Sequence, residues 1–102
     1  LLMYVVFSLL NSKVDTEVKS VLGRADVVIK TKNDIYVLEL KVDDTVENAL
    51  SQIDSKGYAI PYEADGRTIT KCGVTISSEA RNIVHWRAVD NEGKVIDEQK
   101  YE

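Results

Sequence analysis

The chain has 102 residues, 44% of them hydrophobic and 29% charged, with 13 Lys and Arg against 17 Asp and Glu for a net charge of −4. That length and balance describe one globular domain with a single core and exclude a disordered chain. The acidic sign argues against a dedicated high-affinity nucleic-acid binder, whose footprint is usually basic, although an empty acidic metal site would itself add negative charge. Cys72 is the only cysteine, which excludes an internal disulfide and fits a reducing, cytoplasmic compartment.

Residues 1–10 are apolar but too few to span a bilayer, and they lack a basic leader and a small-residue cleavage site. They read as the end of a core helix whose beginning is missing, with Asn11-Ser12 as its stop. The start on Leu rather than Met is what a piece of a longer protein would show. Residues 13–20 alternate Val14, Thr16 and Val18 with Asp15, Glu17 and Lys19, the pattern of an outer strand. Gly23 then separates this strand from the next, over residues 24–30.

The run Ile35-Tyr36-Val37-Leu38-Glu39-Leu40-Lys41-Val42 is apolar on both faces and reads as a central strand. Glu39 and Lys41 share the face of Ile35 and Val37, because side chains alternate along a strand. Thr31-Lys32-Asn33-Asp34 is the polar turn before it. A two-residue loop pairs Thr31 with Asp34, and a four-residue loop pairs Lys30 with Ile35. Both registers set Asp26 opposite Glu39 on one face, with Cβ atoms about 5 Å apart. A three-residue loop would break that alignment.

Like charges directly opposite each other destabilise a sheet. A divalent cation would remove the conflict, since hard cations take carboxylate oxygens. The residues alone leave two readings open. One is a metal site of Asp26 and Glu39 with Lys41 beside it. The other is structural, with Asp26 offset by Arg24 and Glu39 by Lys41.

Farther on, Asp44 with Glu47 resembles a capping box, and Val46, Ala49, Leu50, Ile53 and Gly57 follow helical spacing. The helix is expected to end between Tyr58 and Tyr62, with Pro61 as its stop. Residues 69–77 and 83–89 read as strands, with Trp86 in the core and His85 on the surface. Asn91-Glu92-Gly93 turns into a charged, loosely ordered tail over residues 94–102. The order α-β-β-β-α-β-β predicts an α/β fold, a mixed sheet with helices on its faces, in a domain over residues 1–93. No Gly-rich phosphate loop, HExxH or CxxC motif is present, which argues against an ATPase or zinc site within this chain.

Asp26 followed by Glu39-x-Lys41 resembles the metal site of the PD-(D/E)XK nuclease superfamily. The ordered set is longer: Gly23-Arg24-Ala25-Asp26, Glu39-Leu40-Lys41, Ala49-Leu50-Ser51-Gln52-Ile53, Lys56-Gly57-Tyr58-Ala59, and Gly73 through Ile83. Together these resemble the bacterial subfamily found as a C-terminal domain of AAA-ATPase-like proteins. The resemblance implies a restriction-endonuclease-like core and, if the domain is active, metal-dependent hydrolysis of DNA. Asp26, Glu39 and the Leu40 carbonyl would hold Mg²⁺ or Mn²⁺. Lys41 and Gln52 would act at the metal-bound water or the scissile phosphate, Arg24 and Lys56 would contact DNA, and Tyr58, matching the family's motif tyrosine near the helix end, would either be structural or touch DNA. Glu17 is the best available stand-in for a further acidic residue that many members carry in the first helix. The implied partners are DNA and an ATPase-like domain in the full-length chain, with no membrane and with a homodimer compatible. The alternative is a catalytically inactive accessory module that keeps the nuclease fold.

Overall fold

The computed structural model describes residues 27–101. Five strands, β1 (Val27–Lys30), β2 (Asp34–Val42), β3 (Thr68–Ser77), β4 (Asn82–Asp90) and β5 (Val95–Lys100), lie in sequence order across one sheet. Helix α1 (Val46–Ser55) and a short 3₁₀ turn (Ile60–Tyr62) connect β2 to β3. β2 and β3 run parallel and every other pair is antiparallel, so the sheet is mixed, as expected. The helix expected in residues 1–11 and the strand expected in 13–20 lie outside the described residues, as do Glu17, Arg24 and Asp26. Among the described residues no helix is long and apolar enough to cross a membrane.

β2 is buried from Ile35 through Glu39, the two-sided burial that its unbroken apolar run dictates. On one face Ile35, Val37 and Ile69 pack with Ile53, Tyr58 and Ala59, joined by Leu50. On the other, Tyr36, Leu38, Cys72, Val74, Trp86 and Ala88 form a second cluster. Burial raises the Cys72 thiol pKa to about 12, so it stays protonated and inert. The Trp86 indole donates to the Tyr101 hydroxyl at 3.4 Å, and Tyr101 packs against that second cluster.

α1 sits directly on the sheet because β3 offers it Gly73. A Cβ there would come within 2.9 Å of the Val46 carbonyl oxygen and 3.0 Å of the Ala49 Cβ. A glycine inside a strand commonly marks such close backbone approach. The helix begins one residue later than expected. Thr45, extended at φ −114 and ψ 156, is the cap, and its Oγ1 accepts from the Asn48 amide at 3.1 Å. Asp44 supports the cap from outside, accepting from the Thr45 amide at 2.8 Å and from Asn48 Nδ2 at 2.7 Å. Both residue types cap well, so sequence alone did not separate them.

The helix also stops earlier, at Ser55, and Gly57 rather than Pro61 ends it. Gly57 takes φ +66 and donates to the Asp54 carbonyl at 3.1 Å, while Tyr58 donates to the Ile53 carbonyl at 3.0 Å. These two bonds make a Schellman motif, with the Ile53–Tyr58 apolar contact that often accompanies it. Pro61 falls inside the 3₁₀ turn instead.

The expected loose tail is a second correction, because residues 95–100 form β5 on the outer side of β4. Val95 and Ile96 remain about half exposed, so hydropathy gives little sign of the strand. Backbone pairing and charge hold it. The turn before it is closed by Asp90, whose Oδ1 accepts from the Glu92 and Lys94 amides, both at 2.9 Å. Arg87 on β4 donates to Glu98 of β5 at 2.9 Å and reaches Glu47 of α1 at 3.1 Å. His85 Nε2 lies 2.6 Å from the same Glu98 carboxylate.

Two outcomes follow from this packing. Gly73→Ala is expected to lower stability by about 1–3 kcal/mol through overpacking, although alanine elsewhere in a strand is the better residue. Urea denaturation measures this, and an unchanged or higher midpoint would contradict the close approach. Arg87 first, then His85, holds the Glu98 carboxyl below its ordinary range. A depressed carboxyl pKa adds stability above the unfolded value and loses it as pH falls through the folded one. Glu98→Gln is therefore expected to destabilise at neutral pH, with the gap to wild type narrowing on acidification below the ordinary glutamate range. A pH series of thermal melts reads the gap.

Candidate active site

Strand alternation sets Glu39 and Lys41 on the α1 face of β2, separated by two residues of rise, about 7 Å. Glu39 lies opposite Gly73, and Lys41 lies opposite Thr75, in the parallel pairing with β3. The glycine leaves room for α1 over this part of the sheet, so a side chain from the helix reaches the strand. That side chain is Gln52, half-buried one turn beyond Asn48.

Gln52 joins the two charges. Lys41 Nζ donates to Gln52 Oε1 at 2.6 Å, and Gln52 Nε2 donates to Glu39 Oε2 at 2.6 Å. Donor chemistry fixes the carboxamide orientation. An ammonium only donates and a carboxylate only accepts, so the flipped amide would face donor to donor and acceptor to acceptor. Gln52 Nε2 also donates to Tyr58 Oη at 3.2 Å. Glu39 is only 4% exposed, and a buried carboxylate requires such charge and hydrogen-bond compensation.

The strand leaves the site through a fixed turn. Asp43 takes φ 53, its carboxylate accepts from the Ser78 amide at 3.0 Å, and it also accepts from the Ser78 hydroxyl. The hydroxyl bond, then the amide bond, lowers the Asp43 pKa. This contact ties the ends of β2 and β3 together just past Lys41. Ligands of open α/β sheets commonly bind near such strand ends.

Four of the residues expected from sequence are thus brought together: Glu39, Lys41, Gln52 and Tyr58. The hairpin register from which the Asp26–Glu39 pairing is deduced is present, with Lys30 opposite Ile35 and Val27 opposite Leu38. Asp26 itself, with Arg24 and Glu17, lies outside the described residues. Lys56 is the exposed C-cap of α1, apart from the Gln52 network. The Leu40 side chain points to the opposite face and packs with its cluster, so only its backbone could serve the site.

Gly73 and Thr75 belong to the ordered set read from sequence, but that reading assigns neither a role in the site. Thr75 is 2% exposed beside Lys41, and its Oγ1 donates to the His85 carbonyl at 3.3 Å. The Gly73-x-Thr75 alternation was the available signal, but only the parallel register relates it to Glu39-x-Lys41.

Among the described residues no group of three or more His, Cys, Asp or Glu could hold a metal by itself. The described donors fit part of a hard-cation site. Glu39 offers carboxylate oxygen, its neighbour Leu40 offers a backbone carbonyl, and hard cations take both. Asp26, the second carboxylate expected from sequence, is outside the described residues.

Comparison with known proteins gives the family of the chain. A profile of the PD-(D/E)XK nuclease superfamily matches residues 1–86. The chain is also similar to an uncharacterized protein in the vnfD 5'region of Azotobacter chroococcum mcd 1, with 34% identity over 83 residues, 79% of this chain and 16% of the relative. It therefore spans less than a fifth of that relative's length. No solved structure matches the chain. The five-stranded mixed sheet with its helical crossover is compatible with a restriction-endonuclease-like core, and the family match covers every site residue considered above, so the chain belongs to the PD-(D/E)XK nuclease superfamily.

Proposed function

We propose that this domain is a metal-dependent nuclease that hydrolyses DNA phosphodiester bonds. The observation carrying this reading is the Glu39–Gln52–Lys41 bridge, which holds a buried carboxylate and an ammonium on one sheet face. Asp26, Glu39 and the Leu40 carbonyl would hold Mg²⁺ or Mn²⁺. When bound, such a cation supplies Lewis acidity toward the phosphate and lowers the pKa of water.

The protein residues divide the remaining work. Lys41 Nζ donates one hydrogen bond to Gln52, which leaves two N–H donors for a phosphate oxygen and for the attacking water. A fixed ammonium stabilises charge that develops on phosphate oxygens, and its position costs no reorganisation at the moment of reaction. Glu39 stays oriented because Gln52 occupies one oxygen. Arg24 and Lys56 are proposed to contact the DNA backbone, and Glu17 is the candidate for an additional acidic position. In this reading the domain works in the cytoplasm, attached to an ATPase-like region of the full-length protein.

A second reading has support of its own in the net charge of −4, which gives DNA no strong electrostatic pull. Under it the domain keeps the fold and serves as an inactive accessory module for the ATPase-like region. Cleavage of plasmid DNA by the full-length protein in Mg²⁺ separates the two. The nuclease reading expects Lys41→Ala, Glu39→Ala and Asp26→Ala each to lose on the order of a hundredfold or more in rate. Metal-dependent cleavage that persists unchanged in these variants would contradict the assignment.

A further inference from the structure

Building on the nuclease reading above, we infer that Tyr58 is a positioning residue that acts through Gln52, with the Gly57 turn as the device that delivers it. Gln52 has two amide hydrogens. One is spent on Glu39, and the other points to Tyr58 Oη at 3.2 Å. With Lys41 on the carbonyl end, both amide hydrogens and one of the two oxygen lone pairs of the carboxamide have a partner. In this arrangement Gln52 is the connector between the acid and the ammonium, and Tyr58 stops it from turning away toward solvent.

Tyr58 is suited to this because it cannot move much. It is 7% exposed, and its ring belongs to the cluster of Ile35, Val37, Ile53, Ala59 and Ile69. The ring reaches that cluster because the chain reverses at Gly57, in the left-handed region at φ +66. A Cβ at Gly57 would meet only the tip of the exposed Ile60 side chain, which can move aside, so the preference for glycine rests on the left-handed backbone. One Schellman motif thus ends the helix and aims a phenol at the side chain presented six residues earlier. A ring buried in this way touches Gln52, and its effect on substrate passes through that contact.

Tyr58→Phe keeps the ring and removes the hydroxyl, so packing and function come apart. Two measurements on the full-length protein test the inference. In the metal-free protein, NMR of the Gln52 side-chain amide is expected to show a clear shift and faster amide rotation in Tyr58→Phe. In Mn²⁺-dependent cleavage, Tyr58→Phe is expected to lower kcat about fivefold, the usual worth of one hydrogen bond, with KM unchanged. In a Gln52→Ala background the same substitution is expected to cost nothing further, because the group it acts through is gone.

Unchanged Gln52 resonances would overturn the inference. So would an equal loss with and without Gln52, or a loss confined to KM, which would mark Tyr58 as a direct substrate contact. Absence of cleavage by the wild-type protein would remove the nuclease reading alone, since the NMR comparison still decides whether Tyr58 fixes Gln52.

Discussion

The distance between α1 and the sheet governs the whole site. Gln52 can join Glu39 to Lys41 only because the helix lies against β3 with no side chain between them. Gly73 provides that contact, with the Val46 carbonyl where a Cβ would otherwise stand. Any residue larger than glycine must lift the helix, and lifting it withdraws Gln52 from two bonds of 2.6 Å at once. Stability and site geometry therefore depend on the same approach. The cost of leaving Glu39 buried without Gln52 adds to the cost of the strain itself.

Two ties beside Gly73 hold the helix in place. Arg87 reaches Glu47 near the start of α1, and Lys71 reaches Asp54 near its end at 2.7 Å. Glu47 and Asp54 are largely exposed, so these pairs are individually weak. Their contribution is to orientation, since they flank the turn of helix that carries Gln52. β5 enters the same system through Glu98, which shares Arg87 with Glu47. The outer strand is thus part of the electrostatic frame around the helix.

Much of this was legible in the sequence because it follows from period and turn length. The unbroken apolar run around Glu39 marks a central strand, alternation places Glu39 with Lys41, and a turn of even length sets Lys30 opposite Ile35, the register that the structure has. Helical spacing also singled out the buried stripe of Val46, Ala49 and Ile53. The Gln52 bridge was not legible, since its reach depends on a parallel register between segments some thirty residues apart. β5 was missed because an edge strand with exposed valine and isoleucine is held by backbone pairing, which hydropathy does not record. The helix ends shifted for a local reason. Neighbouring Asp44 and Thr45 compete for one cap, and a left-handed glycine stops a helix before a later proline can.

Glu39 is the point on which the functional reading turns. Calorimetric titration of the full-length protein with Mn²⁺ tests it most directly. Binding at a single site that is lost in Glu39→Ala and kept in Lys41→Ala is the predicted result. No binding at millimolar Mn²⁺, or binding unchanged by Glu39→Ala, would contradict it.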